Sequence, residues 1–430
     1  MVIITVLLKL LRVMKRLLFF KHKNMNIKNK LFDFIFRSVL IIVTTLVFTT
    51  SQKTIAQEAP TGFVEDFSSP QLTGWRVAAG SGDLIPNQTV KLTQQNGTGI
   101  FWIDATNDRR NIWWAVINHE ITNNIDRSML GKSDKAIRIE AKLRMPKPRR
   151  FNMSLNHTST TDYHDDLAEF DIDDSDWHVV SYTNKEFSAK QTDQVYMQLA
   201  VMDGGREVIT VELEYIKVTI VDAATAAPDL GNPIPYRPPL KGPENFIHSL
   251  IVKEDAIIDS EYPWINFSKW YDASTDSEPL LSISGSQTSI LRWDFSDFAG
   301  KKPKGWGLLV LTTHNVHYAP SSLEEFGYVR LVEIKAGDPS WTRDKVTFES
   351  LLQGKMVSEV IHPQLVMDTP PEQKKGAKSI IPVSPMVMER LFSGKTKGFA
   401  IYSQGAVNAS FASSKANDPK DRPTLYFEIE

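Results

Sequence analysis

The sequence predicts an all-β protein built as two β-sandwich, jelly-roll-like domains joined by a Pro-rich linker. Three observations carry that expectation. Apolar residues recur with period two in the patterned segments, no segment offers a long amphipathic helix, and six prolines crowd Ala223 to Asn245. With 430 residues, 42% of them hydrophobic, the chain is long enough for two or three packed cores.

In chain order, residues 1–56 read as a leader. Met1 to Arg37 is rich in Lys and Arg, Ser38 to Phe48 is apolar, and Thr54-Ile55-Ala56 places a small residue before a cut ahead of Gln57. Basic, apolar, then small is the order of a secretory signal peptide. The apolar stretch is too short to span a bilayer. The basic region is long for such a signal, and Met25 is an alternative start. The expectation is a secreted protein, periplasmic or extracellular, without a membrane span.

Removing the leader changes the charge. Residues 1–56 hold ten Lys or Arg and one acid, so a whole-chain net of −2 becomes about −11 for the remainder. That argues against a nucleic-acid partner, which needs a basic surface. An anionic glycan could be held only through a local basic patch. The absence of cysteine excludes disulfides, a thiolate metal site, a cysteine nucleophile and a lipoprotein anchor.

The first domain is expected over 57–222. Ile137, Ile139, Ala141, Leu143 and Met145 share one face of a strand, and Arg138, Glu140, Lys142 and Arg144 the other. Phe151, Met153 and Leu155 alternate with Asn152, Ser154 and Asn156. Val195, Met197, Leu199 and Val201 alternate with Tyr196, Gln198 and Ala200, and Val208 to Val221 continues as a long closing strand. Residues 223–245 form the linker, because proline lacks the N–H a strand needs and favours stiff, extended connections. In the second domain, 246–430, Trp306–Thr313, Gly327–Ile334 and Thr424–Ile429 are strand-like, and Ser384–Phe392 is a short helix with Pro in its first turn.

The densest chemical constellation is Arg149-Arg150, then Asn156-His157, then Tyr163-His164. Uronate polysaccharides are cleaved by β-elimination, which needs a base for the C5 proton, an acid for the oxygen leaving C4, and a group to neutralise the carboxylate. His157, His164 or Tyr163 could serve as base, Tyr163 as acid, and Arg150 or Asn as neutraliser. If hydroxide left instead of a sugar, the same site would run a dehydratase. The plain alternative is that the histidines cap a loop and Tyr163 packs on it. Asn152, Asn156, Arg149, Tyr196, Gln198 and Trp113 are assigned to substrate contact. Trp102, Trp113 and Trp114 could provide a stacking platform, but adjacent Trp113 and Trp114 must face opposite sides of a strand, so at most one of these two is exposed and the other belongs to the core.

A second cluster is His314-Asn-Val-His317-Tyr318, assigned with Arg330 to substrate contact, where His314 or His317 could also act as base and Arg330 as neutraliser. His-x-x-His could ligate a metal, but on a strand the two rings point to opposite faces, so a loop is required. Solvated loop histidines are the plainer reading, and no metal residues are assigned. Asp171 to Asp176 alternates acids like a calcium loop but lacks its Gly and its terminal Glu, so it reads as a polar turn. No cofactor is required, although a structural calcium from scattered oxygens would suit a jelly roll. No paired-carboxylate, Ser-elbow or phosphate-loop signature appears.

A resemblance adds to this reading. Asp255–Ser260, Leu291-Arg-Trp-Asp-Phe295, Trp341-Thr342, Pro382-Val-Ser-Pro385, Gly398–Ser403, Phe411-Ala-Ser-Ser and Arg422-Pro-Thr-Leu425 occur in an order and spacing that resembles the DNRLRE type of β-sandwich. That family stands beside catalytic domains in secreted carbohydrate-active proteins and includes alginate-binding modules, so the resemblance implies glycan binding. The first domain looks like the carbohydrate-binding jelly rolls of marine polysaccharide-degrading bacteria, in which the Trp177 strand, Asp176–Thr183, is structural.

The resulting expectation is a secreted lyase degrading an anionic, uronate-containing polysaccharide such as ulvan or alginate, or its oligosaccharides. The alternative is a non-catalytic two-module carbohydrate-binding protein. An adhesion or matrix component is a third.

Overall fold

The computed structural model describes residues 62–109, 113–235, 241–268, 279–318, 327–405 and 407–430. The leader expected over 1–56, and Pro238 and Pro239, lie outside them. No helix among the described residues is long and apolar enough to cross a membrane.

The period-two segments become antiparallel strands in two pairs of sheets, so the all-β expectation holds. One sheet runs in the order β3 (Val90–Gln95), β4 (Thr98–Asp104), β11 (Val208–Asp222), β6 (Lys135–Arg144), β9 (His178–Asn184), with β1 (Gly62–Glu65) also on β11. The expected closing strand is therefore central. Its partner sheet runs β12 (Ile234–Pro235), β8 (Leu167–Asp171), β7 (Arg150–His157), β10 (Val195–Met202), β5 (Trp114–Glu120), β2 (Trp75–Gly80). Ile137, Ile139, Leu143, Phe151, Met153, Leu155, Met197 and Leu199 meet in the core between them. Burying a side chain of this size contributes roughly 1.5–3 kcal/mol.

The third sheet runs β13 (His248–Ile251), β23 (Thr424–Phe427), β17 (Gly307–Tyr318), β22 (Val407–Ala412), β15 (Leu280–Ile283), with β20 (Lys378–Val383) also on β17. The fourth runs β14 (Glu254–Asp259), β16 (Gln287–Arg292), β21 (Gly398–Gly405), β18 (Gly327–Ile334), β19 (Ile361–Thr369). Leu291, Leu309, Leu331, Phe399, Ile401 and Phe411 fill the space between these two. A second apolar layer covers the outside of the fourth sheet, where Trp341, Val346, α1 (Phe348–Leu352) and α2 (Val357–Val360) pack on Ile258, Ile290 and Val332. The expected helix is α3 (Pro385–Phe392), with Pro in its first turn.

The proline-rich stretch is anchored rather than free-standing. Arg138 donates to the carbonyls of Ala227 and Pro228 and pairs with Asp229 at 2.9 Å. Leu230 N–H donates to Ser181, and Ile234 is buried in the short edge strand β12. Proline removes donors, not acceptors, so a cationic side chain can hold the segment by its carbonyls.

Residues 60–430 form one compact body, and buried ion pairs cross from the first pair of sheets to the second. Arg150, on β7, donates to Glu169 at 2.8 Å and Asp171 at 2.9 Å on β8. Its backbone N–H reaches Gln364, and its guanidinium reaches the carbonyl of Val366 at 3.3 Å, both on β19. Asp171 continues to Ser384 at 3.2 Å and Arg390 at 3.6 Å, and Arg390 forms a bidentate pair with Glu333 at 2.8 and 2.9 Å. Further along the seam, Arg330 holds Asp368 through two bonds of 2.7 and 2.9 Å and Asp203 through one of 2.9 Å.

Burial alone would raise the Asp171 carboxyl. The Arg150 and Arg390 guanidiniums overcome that and hold it down at about 2. A depressed carboxyl contributes stability that is present above the ordinary pKa near 4 and is lost as pH falls toward 2, here about 2 kcal/mol. Urea denaturation should therefore show the stability gap between the wild type and Asp171→Asn narrowing by that amount between pH 5 and pH 2. A constant gap would mean that Asp171 is not held ionised in the seam.

Candidate functional site

The outer face of the β7–β10–β5–β2 sheet is where the sequence-assigned polar residues gather. Odd-numbered residues of β7 point into the core, so Asn152, Ser154 and Asn156 point outward. Register places Gln198 beside Ser154 and Asn118, and Asn118 beside Arg76. Ser154, Gln198, Asn118 and Arg76 thus form one polar row across four strands, about 14 Å long at the usual interstrand spacing. Tyr196 flanks the row beside Asn156, with its hydroxyl donating to Gln194 at 2.7 Å.

Within this face Asn156 Nδ2 donates to Gln198 Oε1 at 2.6 Å, and the Ser154 hydroxyl lies 3.4 Å from the same oxygen. Asn152 and Asn156 are each 2% exposed, and their Oδ1 atoms have no hydrogen-bond partner. Such an acceptor costs roughly 1–3 kcal/mol unless a donor arrives. Two unpartnered acceptors therefore lie buried next to a linked amide–hydroxyl group.

The tryptophan assignment is corrected. Trp113 is 1% exposed and sits in the core, its N–H groups satisfied by Asp203 Oδ1 at 2.8 Å and the Gly205 carbonyl at 3.2 Å. Its neighbour Trp114 is half-buried on the outer face, its ring lying over Gly80, where a Cβ would come within 2.4 Å of it. Parity allowed either choice, and the buried run Ala115–Ile117 gave no polar contrast to decide it.

The proposed catalytic group does not converge. Arg150 and His157 stand at opposite ends of β7, roughly 23 Å apart at strand rise, and on opposite faces. Arg150 is sealed in the seam, so its charge is committed to Glu169 and Asp171. His157 turns inward at the end of β7, packing edge-on against Phe187, with Nδ1 3.2 Å from the Ser159 backbone nitrogen and 3.3 Å from Asp193. His164 Nδ1 lies 2.9 Å from Asp162, and Tyr163 is exposed on the same loop. An acidic cavity of about 290 Å³ opens beside that loop, lined by residues that include Asp165, Asp166, Tyr182 and Glu186 but none of these three.

The other arginines are also spoken for. Arg149 pairs with Glu207, donates to the Gly204 carbonyl at 3.1 Å and approaches His362 Nε2 at 3.3 Å. Burial, reinforced by Arg149, pushes the His362 imidazole down to about 3, so it meets that guanidinium as a neutral ring. Arg330 projects from the outer side of the fourth sheet into the seam, whereas His314 and His317 lie on β17 in the third. Those histidines are in a strand, not the expected loop. A bulge at His314 shifts the register between Thr313 and Asn315, leaving His314 half-buried, His317 exposed and Tyr318 half-buried at the strand end. Asp174 accepts from Asp176 N–H and His178, closing the polar turn. Among the described residues no group of three His, Asp or Glu is placed to hold a metal.

Sequence reasoning missed Asn118 and Arg76. Asn118 had a signal in sharing the strand face of Val116 and Glu120; Arg76 joins the face only through strand pairing.

No protein-family model and no curated protein matches this chain. Several solved structures are similar to parts of it. Ligand-free BiXyn10A CBM1 is 12% identical, covering 37% of this chain and 97% of its own, with a TM-score of 0.25. TmCBM61 in complex with β-1,4-galactotriose is 12% identical, covering 38% and 96%, with a TM-score of 0.23. The N-terminal CBM22-1–CBM22-2 tandem domain of Xyn10C from Paenibacillus barcinonensis is 10% identical, covering 87% and 98%, with a TM-score of 0.25.

Proposed function

We propose that this chain is a carbohydrate-binding protein that takes an oligosaccharide segment along the outer face of the first sandwich. The observation that carries this reading is the pair of buried, partnerless acceptors, Asn152 Oδ1 and Asn156 Oδ1, beside the Gln198–Ser154 group. Sugar hydroxyls are donors that such acceptors can take, and an aromatic ring such as Trp114 supplies a surface for a pyranose face. The secretory leader expected from the sequence would fit a ligand met outside the cell. An anionic sugar is the finer version of the reading, and it falls to the exposed Arg76, because Arg149, Arg150 and Arg330 are already paired with carboxylates.

Affinity electrophoresis of the full chain in alginate, ulvan, xylan and mixed-linkage β-glucan gels tests this. At least one gel should retard the protein, and Gln198→Ala should weaken that interaction about tenfold, because it strands the Asn156 donor as well. Arg76→Ala should matter only on the uronate gels. Unchanged retardation of Gln198→Ala and Asn156→Ala would sink the assignment of this face.

A β-elimination reading keeps His157, Tyr163 and His164, two of them beside carboxylates, but has lost its neutralising arginine. For a purely binding protein, ultraviolet absorbance of uronate polymers should stay flat on incubation. A rise that depends on Tyr163 or His164 would restore the lyase.

A further inference from the structure

Most large apolar side chains of the second sandwich are buried, but Tyr262 and Trp264 are 50% and 67% exposed. They flank Pro263 in the loop that follows edge strand β14. This loop is fastened at several points. The Pro263 carbonyl accepts from Glu349 N–H at 2.9 Å, and the Asn266 amide donates to the carbonyls of Arg343 at 2.9 Å and Val346 at 2.7 Å. Ile265 N–H closes a turn onto the Tyr262 carbonyl at 3.1 Å, and Tyr262 stands edge-on against the buried Phe267 at 6.5 Å. The backbone that carries the two rings is therefore braced on both sides of Pro263. Leaving a tryptophan this exposed forgoes burial energy, which marks the turn as a candidate contact surface.

We infer that Tyr262 and Trp264 form a second sugar-stacking site, on the second sandwich, for the apolar faces of pyranose units in a polysaccharide. The surroundings favour that occupant. The loop is bonded to the Arg343–Val346 and Glu349 segments, and the exposed Glu261, Asp344, Lys345 and Glu349 of this neighbourhood supply hydrogen-bonding groups for ring hydroxyls. Among the described residues of these segments those three acids outnumber the one base, which disfavours an anionic membrane surface. Among the described residues of the loop the exposed apolar groups are these two rings, less than a stable protein interface needs. Rings with few rotatable bonds on a braced backbone bind flat apolar surfaces at low entropic cost. A body with a polar row on one sandwich and an aromatic pair on the other would grip one polymer at two places, gaining avidity.

The site stands apart from the first-sandwich face, so either can fail alone. Full-length wild type, Trp264→Ala, Tyr262→Ala and Gln198→Ala would be run on the same alginate, ulvan, xylan and β-glucan gels, and their tryptophan fluorescence titrated with those polymers. Trp264→Ala should weaken binding at least fivefold on a gel that retards the wild type and remove most of the fluorescence change, with its unfolding midpoint unmoved because the ring is exposed. Wild-type retardation by Trp264→Ala, with Gln198→Ala defective, would overturn this site and spare the first. The reverse pattern would overturn the first and spare this one. Retardation on no gel would overturn both. Trp264-dependent binding to phosphatidylcholine–phosphatidylglycerol vesicles without any polysaccharide binding would overturn the sugar assignment in favour of lipid.

Discussion

Arg330→Ala should destabilise the protein by roughly 3–5 kcal/mol, the cost of leaving buried carboxylates without their cation. Arg330 is 3% exposed, and Asp203 and Asp368 lie with it in the seam. Burial works against the charged guanidinium, but the two carboxylates more than compensate, raising its pKa and keeping it ionised throughout the ordinary range. Without it, burial pushes Asp203 further up, and its backbone bond to Trp113 N–H becomes the remaining anchor. The bond between Arg330 and Asp203 joins the two sandwiches, so the variant should also unfold in two urea transitions where the wild type shows one. Restoring much of the loss by Asp203→Asn with Asp368→Asn would identify stranded charge as the cause. A loss under 1 kcal/mol with a single transition would mean that the seam is wet.

Trp113→Ala should cost about 3–5 kcal/mol, as other large-to-small changes at a filled core do. The indole lies against Gly204 in the core that also holds Ile209, and it spends its ring N–H on the Gly205 carbonyl, so truncation leaves both a cavity and a stranded acceptor. Trp114→Ala is the informative contrast. Its ring lies half-buried on the outer face over Gly80, so glycan affinity should fall while the urea midpoint changes little. Equal stability losses in the two variants would contradict the opposite facing of these neighbours.

The strands, their parity and the short Pro-initiated helix were legible from sequence, because period two and proline geometry are properties of a few consecutive residues. Asn152, Asn156 and Gln198 could be placed on one polar face for the same reason. The arginines could not be placed. Arg149 and Arg150 sit next to a histidine-bearing segment in the sequence and look available, yet the buried Arg150 guanidinium donates to the carbonyl of Val366, 216 residues away. Arg330 looked like a partner for His314 and instead meets Asp203, 127 residues distant.

Strand pattern determined that this protein is all-β and which residues share a face, since both follow from local geometry. Tertiary structure alone decided which charges are spent in the seam, which of two adjacent tryptophans is buried, and which strands place Arg76 and Asn118 beside Gln198. Those outcomes depend on pairings between remote segments, and neither alternation nor composition encodes which remote segment arrives to cover a given side chain.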